Sequence, residues 1–141
     1  MTFERATARG FDFVIGADGL HSNVRSLVFG PESQFAKRLG TFATIFTVPN
    51  FLDLDYWQMF HMGDNTMAGV YSARNNTAPD FYFDEMAQII MDRWSQGRVA
   101  LVGDAGYCCA PLSGQGTSVA MLGAYVLAGE LAQAGGDYQR G

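Results

Sequence analysis

Apolar positions along the chain fall in short dense runs separated by turn-forming residues. "FDFVIGADG" (11–19) is an apolar run closing on Asp-Gly, the pattern of a buried strand leading into a turn. "HSNVRSLVFG" (21–30) follows it, with Ser22 or Asn23 placed to cap a short helix that Gly30-Pro31 ends. "TFATIFTVP" (41–49), rich in Thr, Val, Ile and Phe, predicts a strand. "YWQMFHM" (56–62) and "MAGVYSA" (67–73) flank the turn signal "GDNT" and predict a hairpin. "ARNNTAPD" (73–80) has the composition of a loop, and "FYFDEMAQIIMDRW" (81–94) fits helix and strand equally. "GRVALVGDA" (97–105) predicts a second buried strand running to Gly-Asp.

The last segment carries the strongest periodicity. From Gly116, positions 120, 124, 128 and 132 are all alanine, a smooth stripe along a predicted helix over 116–134. Val119, Leu122, Val126 and Leu127 surround the stripe, and Gly135-Gly136 ends the helix. A stripe of small residues suits close approach to a sheet or to another helix.

Composition narrows the choice of function. The chain has 141 residues, 48% hydrophobic and 16% charged, which is enough for a folded domain with a core. The formal charge of −5 and the scattered basic residues argue against a nucleic-acid surface. The two cysteines, Cys108 and Cys109, are adjacent, a spacing that disfavours a disulfide between them and gives no zinc-ligand pattern. They read as small packing side chains in a reducing, cytoplasmic compartment. The N-terminal "MTFERATARG" has no apolar signal core, and Glu130 interrupts the most hydrophobic window, so no membrane span is expected. His21 and His61 stand alone, the pattern of surface or packing histidines. Phe42, Phe46, Trp57, Met59, Phe60, Met67 and Tyr71 fit either a core or the lining of a pocket.

Two predicted strands therefore end in an aspartate beside glycine, in "VIGADGLHSNVR" and in "VALVGDAGYCCAPLSGQG". A carboxylate just past the carboxyl end of a strand accepts hydrogen bonds from sugar hydroxyls, and a neighbouring glycine lets backbone approach a ligand. A helix opening at Gly-Gln-Gly presents unpaired N–H groups and a partial positive charge to whatever lies in front of it.

On these residues the sequence resembles the FAD-dependent aromatic hydroxylases, the single-component flavoprotein monooxygenases of the p-hydroxybenzoate hydroxylase type. Their D-G-x-x-S-x-x-R motif stands here as Asp18, Gly19, Ser22 and Arg25. Their later G-D-A motif and the P-x-x-G-Q-G that follows stand as Gly103, Asp104, Ala105, Pro111, Gly114, Gln115 and Gly116. The resemblance implies an α/β (α+β) fold: an incomplete Rossmann-like FAD-binding domain with part of a β-sheet substrate domain. It divides the chain into 1–38 and 91–141, both parts of the FAD-binding domain, with 39–90 a remnant of the substrate sheet. It implies FAD as cofactor, NAD(P)H as reductant, and hydroxylation of a small aromatic substrate through a flavin C4a-hydroperoxide. No side chain is implied as a catalytic acid or base, and no metal.

The resemblance also implies roles. Asp104 would bond the ribityl or pyrophosphate region of FAD, and Pro111 would lie near the reactive edge of the flavin. Gly114, Gln115 and Gly116 would open the helix that faces the pyrimidine end. Asp18 and Arg25 would serve the FAD pyrophosphate and NAD(P)H, or Arg25 would pair with Asp18 and fix the turn. Tyr107 and Ser118 stand where the family often has His and Asn. The chain has no G-x-G-x-x-G, and the segment between the two motifs is shorter than the family's, with the junction near "ARNNTAPDFYFDE". The expectation is a truncated monooxygenase, or a non-catalytic module that retains the flavin motifs. The strand at 97–103 is expected to keep an exposed apolar edge, so that the chain self-associates or needs a complementing chain.

Overall fold

The structure, a computed structural model, describes residues 7–72 and 81–135. The predicted loop over 73–80, and Gly136 at the helix end, lie outside the described residues. The chain divides into two compact units, one formed by Met1–Thr41 with Glu85–Gly141 and the other by Phe42–Asp84.

In the first unit, β1 (Val14–Gly16) pairs parallel with β7 (Val99–Leu101), and Val14, Ile15 and Gly16 stand opposite Val99, Ala100 and Leu101. The two-residue β6 (Ser95–Gln96) pairs antiparallel on the other side of β7. Gly97, at φ 59°, turns the chain from β6 into β7. The expected single strand over 97–105 is thus a short strand preceded by a tight turn. The expected exposed edge on it is also corrected: β7 is the middle strand of three, and its backbone groups face partners on both sides.

Helix α1 (Asn23–Val28) starts where the polar residues predict, with Ser22 as its cap: the Ser22 hydroxyl accepts from the Arg25 N–H at 2.9 Å. A 3₁₀ turn (Glu32–Gln34) leads into β2 (Ala36–Phe46), which begins five residues before the predicted strand at 41. The ambiguous segment resolves as a strand, β5 (Phe81–Ile89), paired with β2. Phe35 meets Ile90, Arg38 meets Glu85 and Phe42 meets Phe83, advancing on one strand as they recede on the other, so the pair is antiparallel.

Helix α2 (Asp104–Tyr107) and a 3₁₀ turn (Pro111–Ser113) lead into α3 (Gly116–Gln133). The half-buried positions of α3 are Gly116, Val119, Ala120, Gly123, Leu127 and Leu131, whereas Ala124, Ala128 and Ala132 of the alanine stripe are exposed. The reason is geometric: each four-residue step overshoots a full turn by about 40°, so a row of fours winds off the packed face, and mixed three- and four-residue spacing stays on it. The core of this unit is made of Ala87, Ile89, Ala100, Leu101, Ala105, Cys108 and Ala110, with Ser22 and Arg25 buried among them.

The second unit contains the predicted hairpin, β3 (Gln58–Met62) and β4 (Met67–Tyr71), with Met62 opposite Met67 across the Gly63–Thr66 turn. Phe60 lies over its cross-strand partner Gly69. None of the described residues over 42–84 is buried. Phe42, Phe46, Trp57, Met59, Phe60, Met67 and Tyr71, expected to form a core or a pocket, are all more than half exposed. Phe42 and Phe46 lie in the β2–β5 pair and the others in or beside the β3–β4 hairpin, and among the described residues both sheets are two-stranded, too narrow to bury side chains by themselves.

Candidate functional site

Parallel pairing of β1 and β7 puts both Asp-Gly signals at the same end of adjacent strands, and the Val102 N–H donates to the Gly16 carbonyl at 2.9 Å just beyond the ladder. From β1 the chain runs into Asp18 and Gly19, and from β7 into Gly103 and Asp104. In a parallel sheet, ligands bind outside the carboxyl ends of the strands, and both turns lie at that end.

Asp18 ties its own turn to α1. One carboxylate oxygen accepts from the Ser22 hydroxyl at 2.5 Å and the other from the Val24 N–H at 3.1 Å. Partial burial pushes this carboxyl up, but the Ser22 hydroxyl and the Val24 N–H together hold it below the usual aspartate range.

Arg25 is fully buried. Its guanidinium donates to the Ala105 carbonyl at 2.9 Å, to the Leu20 carbonyl at 2.6 Å and to the Glu32 carboxylate at 3.1 Å. His21 also reaches Glu32, at 2.9 Å. The ion-pair partner of Arg25 is thus Glu32 and not Asp18, whose oxygens face Ser22 and Val24.

Gly103 sits at φ 66°, ψ −144°, a conformation in which only glycine is unstrained. Its carbonyl accepts the N–H groups of Gly106 and Tyr107, closing α2. Asp104 is exposed between buried Gly103 and buried Ala105, and its carboxylate also lies within hydrogen-bond reach of the Cys108 thiol. A Cβ on Gly103 would stand 3.4 Å from the Ala120 methyl, which sets the turn against the second turn of α3.

The loop from α2 to α3 is held from behind. Cys108 is buried, its thiol pointing to the Ala87 carbonyl at 3.6 Å and its own carbonyl accepting from Ile89 at 2.9 Å. Burial pushes this thiol up, only partly offset by the Ala110 backbone. Ser113 donates to the Ala110 carbonyl at 2.8 Å and accepts from the Gln115 N–H at 3.1 Å. Gln115 is the N-cap of α3 and makes no side-chain cap, and the first intrahelical bond is Val119 N–H to Gln115 carbonyl at 3.0 Å. The N–H groups of Gly116, Thr117 and Ser118 therefore precede the helical ladder. Added Cβ atoms on Gly114 or Gly116 would meet nothing within 4 Å, so space is open in front of them. Pro111, Gly114 and Gln115 are exposed on this loop.

The fold thus joins Asp18, Gly19 and Arg25 to Gly103, Asp104 and Ala105 through strand pairing and one arginine. Gly116 is brought near by the contact between Gly103 and Ala120, and Pro111, Gly114 and Gln115 follow in the connecting loop. Sequence reasoning missed three participants. Glu32 neutralises Arg25, and an acidic residue seven positions on was the available signal. Tyr107, stacked edge-on against Trp94 at 5.3 Å, has a buried hydroxyl without a hydrogen-bond partner beside Gly123. Gly123 itself stood off the alanine row. Among the described residues no cluster of His, Cys, Asp or Glu could hold a metal ion, and no helix is long and apolar enough to cross a membrane.

This geometry can accept hydrogen bonds from hydroxyls at Asp104 and donate them from the first turn of α3 to a ligand carrying negative charge. Residues 81–137 match the FAD binding domain family. An uncharacterised protein of Mycobacterium tuberculosis is 62% identical over 188 aligned positions that take in 100% of this chain and 50% of that protein. A flavin-dependent monooxygenase of Legionella longbeachae is 34% identical, over 92% of this chain and 46% of its own. The crystal structure of the tetracycline destructase Tet(55) superposes with a TM-score of 0.83 at 32% identity, covering 98% of this chain and 50% of that one. The chain spans about half the length of these relatives.

Proposed function

The chain belongs to the FAD-dependent monooxygenases and its cofactor is FAD; from that premise we propose that it forms the flavin-facing side of an NAD(P)H-dependent hydroxylase of aromatic substrates. The observation that carries the reading is that the turn holding exposed Asp104 rests against α3, a Cβ on Gly103 standing 3.4 Å from the Ala120 methyl, one helical turn from the unladdered N–H groups of that helix. The donor set fits the cofactor: a carboxylate for ribityl hydroxyls, and helix N–H groups for the pyrimidine end of the flavin ring, where reduction places negative charge. Bound FAD supplies hydride acceptance and oxygen activation. The chain's own residues bind and orient it: Asp104 accepts hydroxyl hydrogen bonds, Gly116 to Ser118 donate toward the ring, and Pro111 walls off water beside it. Asp18 and Gly19 shape the neighbouring turn. A relative named for tetracycline supports a fused-ring, phenolic class of substrate. Two free cysteines suit a reducing, cytoplasmic setting.

A second reading rests on one specific observation. All 141 residues align to the M. tuberculosis relative over 188 positions, so at least 47 positions of that relative face a gap within this chain. No described residue over 42–84 is buried. Both support an internally shortened substrate sheet, and hence a flavin-binding module without turnover. Absorbance of the purified chain after addition of FAD, followed by NAD(P)H oxidation with and without a phenolic substrate, separates the two. Flavin binding with substrate-stimulated oxidation supports the hydroxylase, flavin binding alone supports the module, and no flavin binding contradicts both.

A further inference from the structure

We infer that Arg25 is a positioning residue that holds the Asp104 turn at its height beside the Asp18 turn, and that it makes no ligand contact of its own. Three observations carry this. The side chain is 0% exposed, so no face of the guanidinium is open to a phosphate. Its terminal nitrogens are occupied by two carbonyls, Leu20 from the loop after β1 and Ala105 from the turn after β7, 80 positions away in sequence. Glu32, 3.1 Å away, neutralises its charge locally, which leaves little field to attract an anion.

The chemistry explains the choice of arginine. A planar fork reaches acceptors in divergent directions from one rigid group, whereas a lysine ammonium is a single point on a flexible stem. The Ala105 carbonyl follows directly on Asp104, and Ala105 is itself 0% exposed. That carbonyl belongs to the Ala105–Gly106 peptide, one residue beyond Asp104, so holding it anchors the short helix that Asp104 opens. The effect on FAD rests on the reading that Asp104 faces the flavin; the mechanical link does not.

The test uses the full chain with Arg25→Lys, Arg25→Met and Glu32→Gln. Amide hydrogen exchange is read at Gly106 and Tyr107, whose N–H groups close α2, with Gly63 in the β3–β4 turn as internal control. Arg25→Lys keeps the charge and loses the fork, so α2 amides should exchange about tenfold faster, the scale of one lost charge-assisted hydrogen bond, while Gly63 is unchanged. Arg25→Met removes charge and fork together and should loosen α2 at least as much. Glu32→Gln leaves both carbonyl bonds in place but strips the buried guanidinium of its counter-charge, so it should loosen α2 less than Arg25→Lys does, and a larger effect than that of Arg25→Lys would contradict the carbonyl link. Equal α2 protection in the parent and Arg25→Lys overturns the inference, and so does a uniform rise that includes Gly63. FAD titration of the same proteins gives a second arm. Loss of affinity in Arg25→Lys together with loosened α2 supports positioning, and full affinity in a variant that retains the positive charge points to a phosphate contact instead. A parent chain that takes up no FAD counts against the function proposed above, while the exchange arm still decides the role of Arg25.

Discussion

The Tyr107 hydroxyl occupies the space a side chain on Gly123 would need: a Cβ there would lie 1.8 Å from the hydroxyl oxygen and 2.6 Å from Cζ of the ring. The ring cannot simply swing aside, because Trp94 packs edge-on against it. Gly123 is therefore the notch through which α3 rests on α2 and, by way of Gly103 and Ala120, on the Asp104 turn.

Gly123→Ala should destabilise the first unit by about 1–3 kcal/mol, the usual scale of overpacking, despite alanine's higher helix propensity. In a Tyr107→Ala background the same substitution should become neutral or stabilising. Urea denaturation of the two single variants and the double variant measures the coupling, and additive effects would contradict direct contact.

Stability should fall at both ends of the pH scale for separate reasons. The Asp18 carboxyl titrates below its unfolded value of 3.8, so its contribution is complete above that pH and is lost as pH falls through the lower folded value. Asp18→Asn should flatten this acid limb. The Cys108 thiol titrates above its unfolded value of 9.0, so its contribution is complete below pH 9 and disappears as pH rises toward the folded value. Cys108→Ala should flatten the alkaline limb. Equilibrium unfolding followed across pH checks both, and unchanged limbs in either variant would remove the corresponding assignment.

The two thiols should also differ in chemistry. Cys109 is only half-buried, whereas Cys108 is buried with a raised pKa. Native-state alkylation followed by mass spectrometry should label Cys109 first and Cys108 only after unfolding. Equal rates would contradict the packing of the α2–α3 loop.

Across β2 and β5, Phe42 stacks on Phe83 at 5.4 Å and Phe46 on Phe81 at 6.5 Å, yet all four rings are more than half exposed. Such a face promotes association. Light scattering should show concentration-dependent oligomers that diminish in Phe42→Thr/Phe83→Thr, with a stability loss of about 0.5–1.5 kcal/mol for the aromatic pair. A parent chain that stays monomeric at high concentration would contradict this.

How much of this was legible in the sequence differs element by element. The hairpin over 58–71 and the start of α3 at Gly116 were readable because turn chemistry and Gly-Gln-Gly act locally. Asp18 and Asp104 share one strand end because parallel pairing of β1 and β7 brings them there, and two apolar runs ending in Asp-Gly were the visible trace of that pairing. The segment over 81–89 was not resolvable, because "FYFDEMAQI" mixes alternation with helical spacing, and pairing with β2 decided it. The packed face of α3 was misread from a row of alanines that winds off the contact. Arg25 could not be traced to Ala105, because its partner is a backbone carbonyl, which has no side-chain signature in a sequence. Nor could the exposure of residues 42–84 be read, since alternating strands predict burial only where another layer exists to bury them.

The most direct test of the flavin site is titration of FAD into the full chain and into Asp104→Ala, followed by flavin fluorescence and the visible absorption bands. The expected result is saturable binding by the parent with a shift of the flavin bands, weakened about tenfold or more in Asp104→Ala, the effect of removing one charge-assisted hydrogen bond. Equal affinity in the two proteins, or unshifted flavin bands at saturation, would contradict placing the flavin between Asp104 and the first turn of α3.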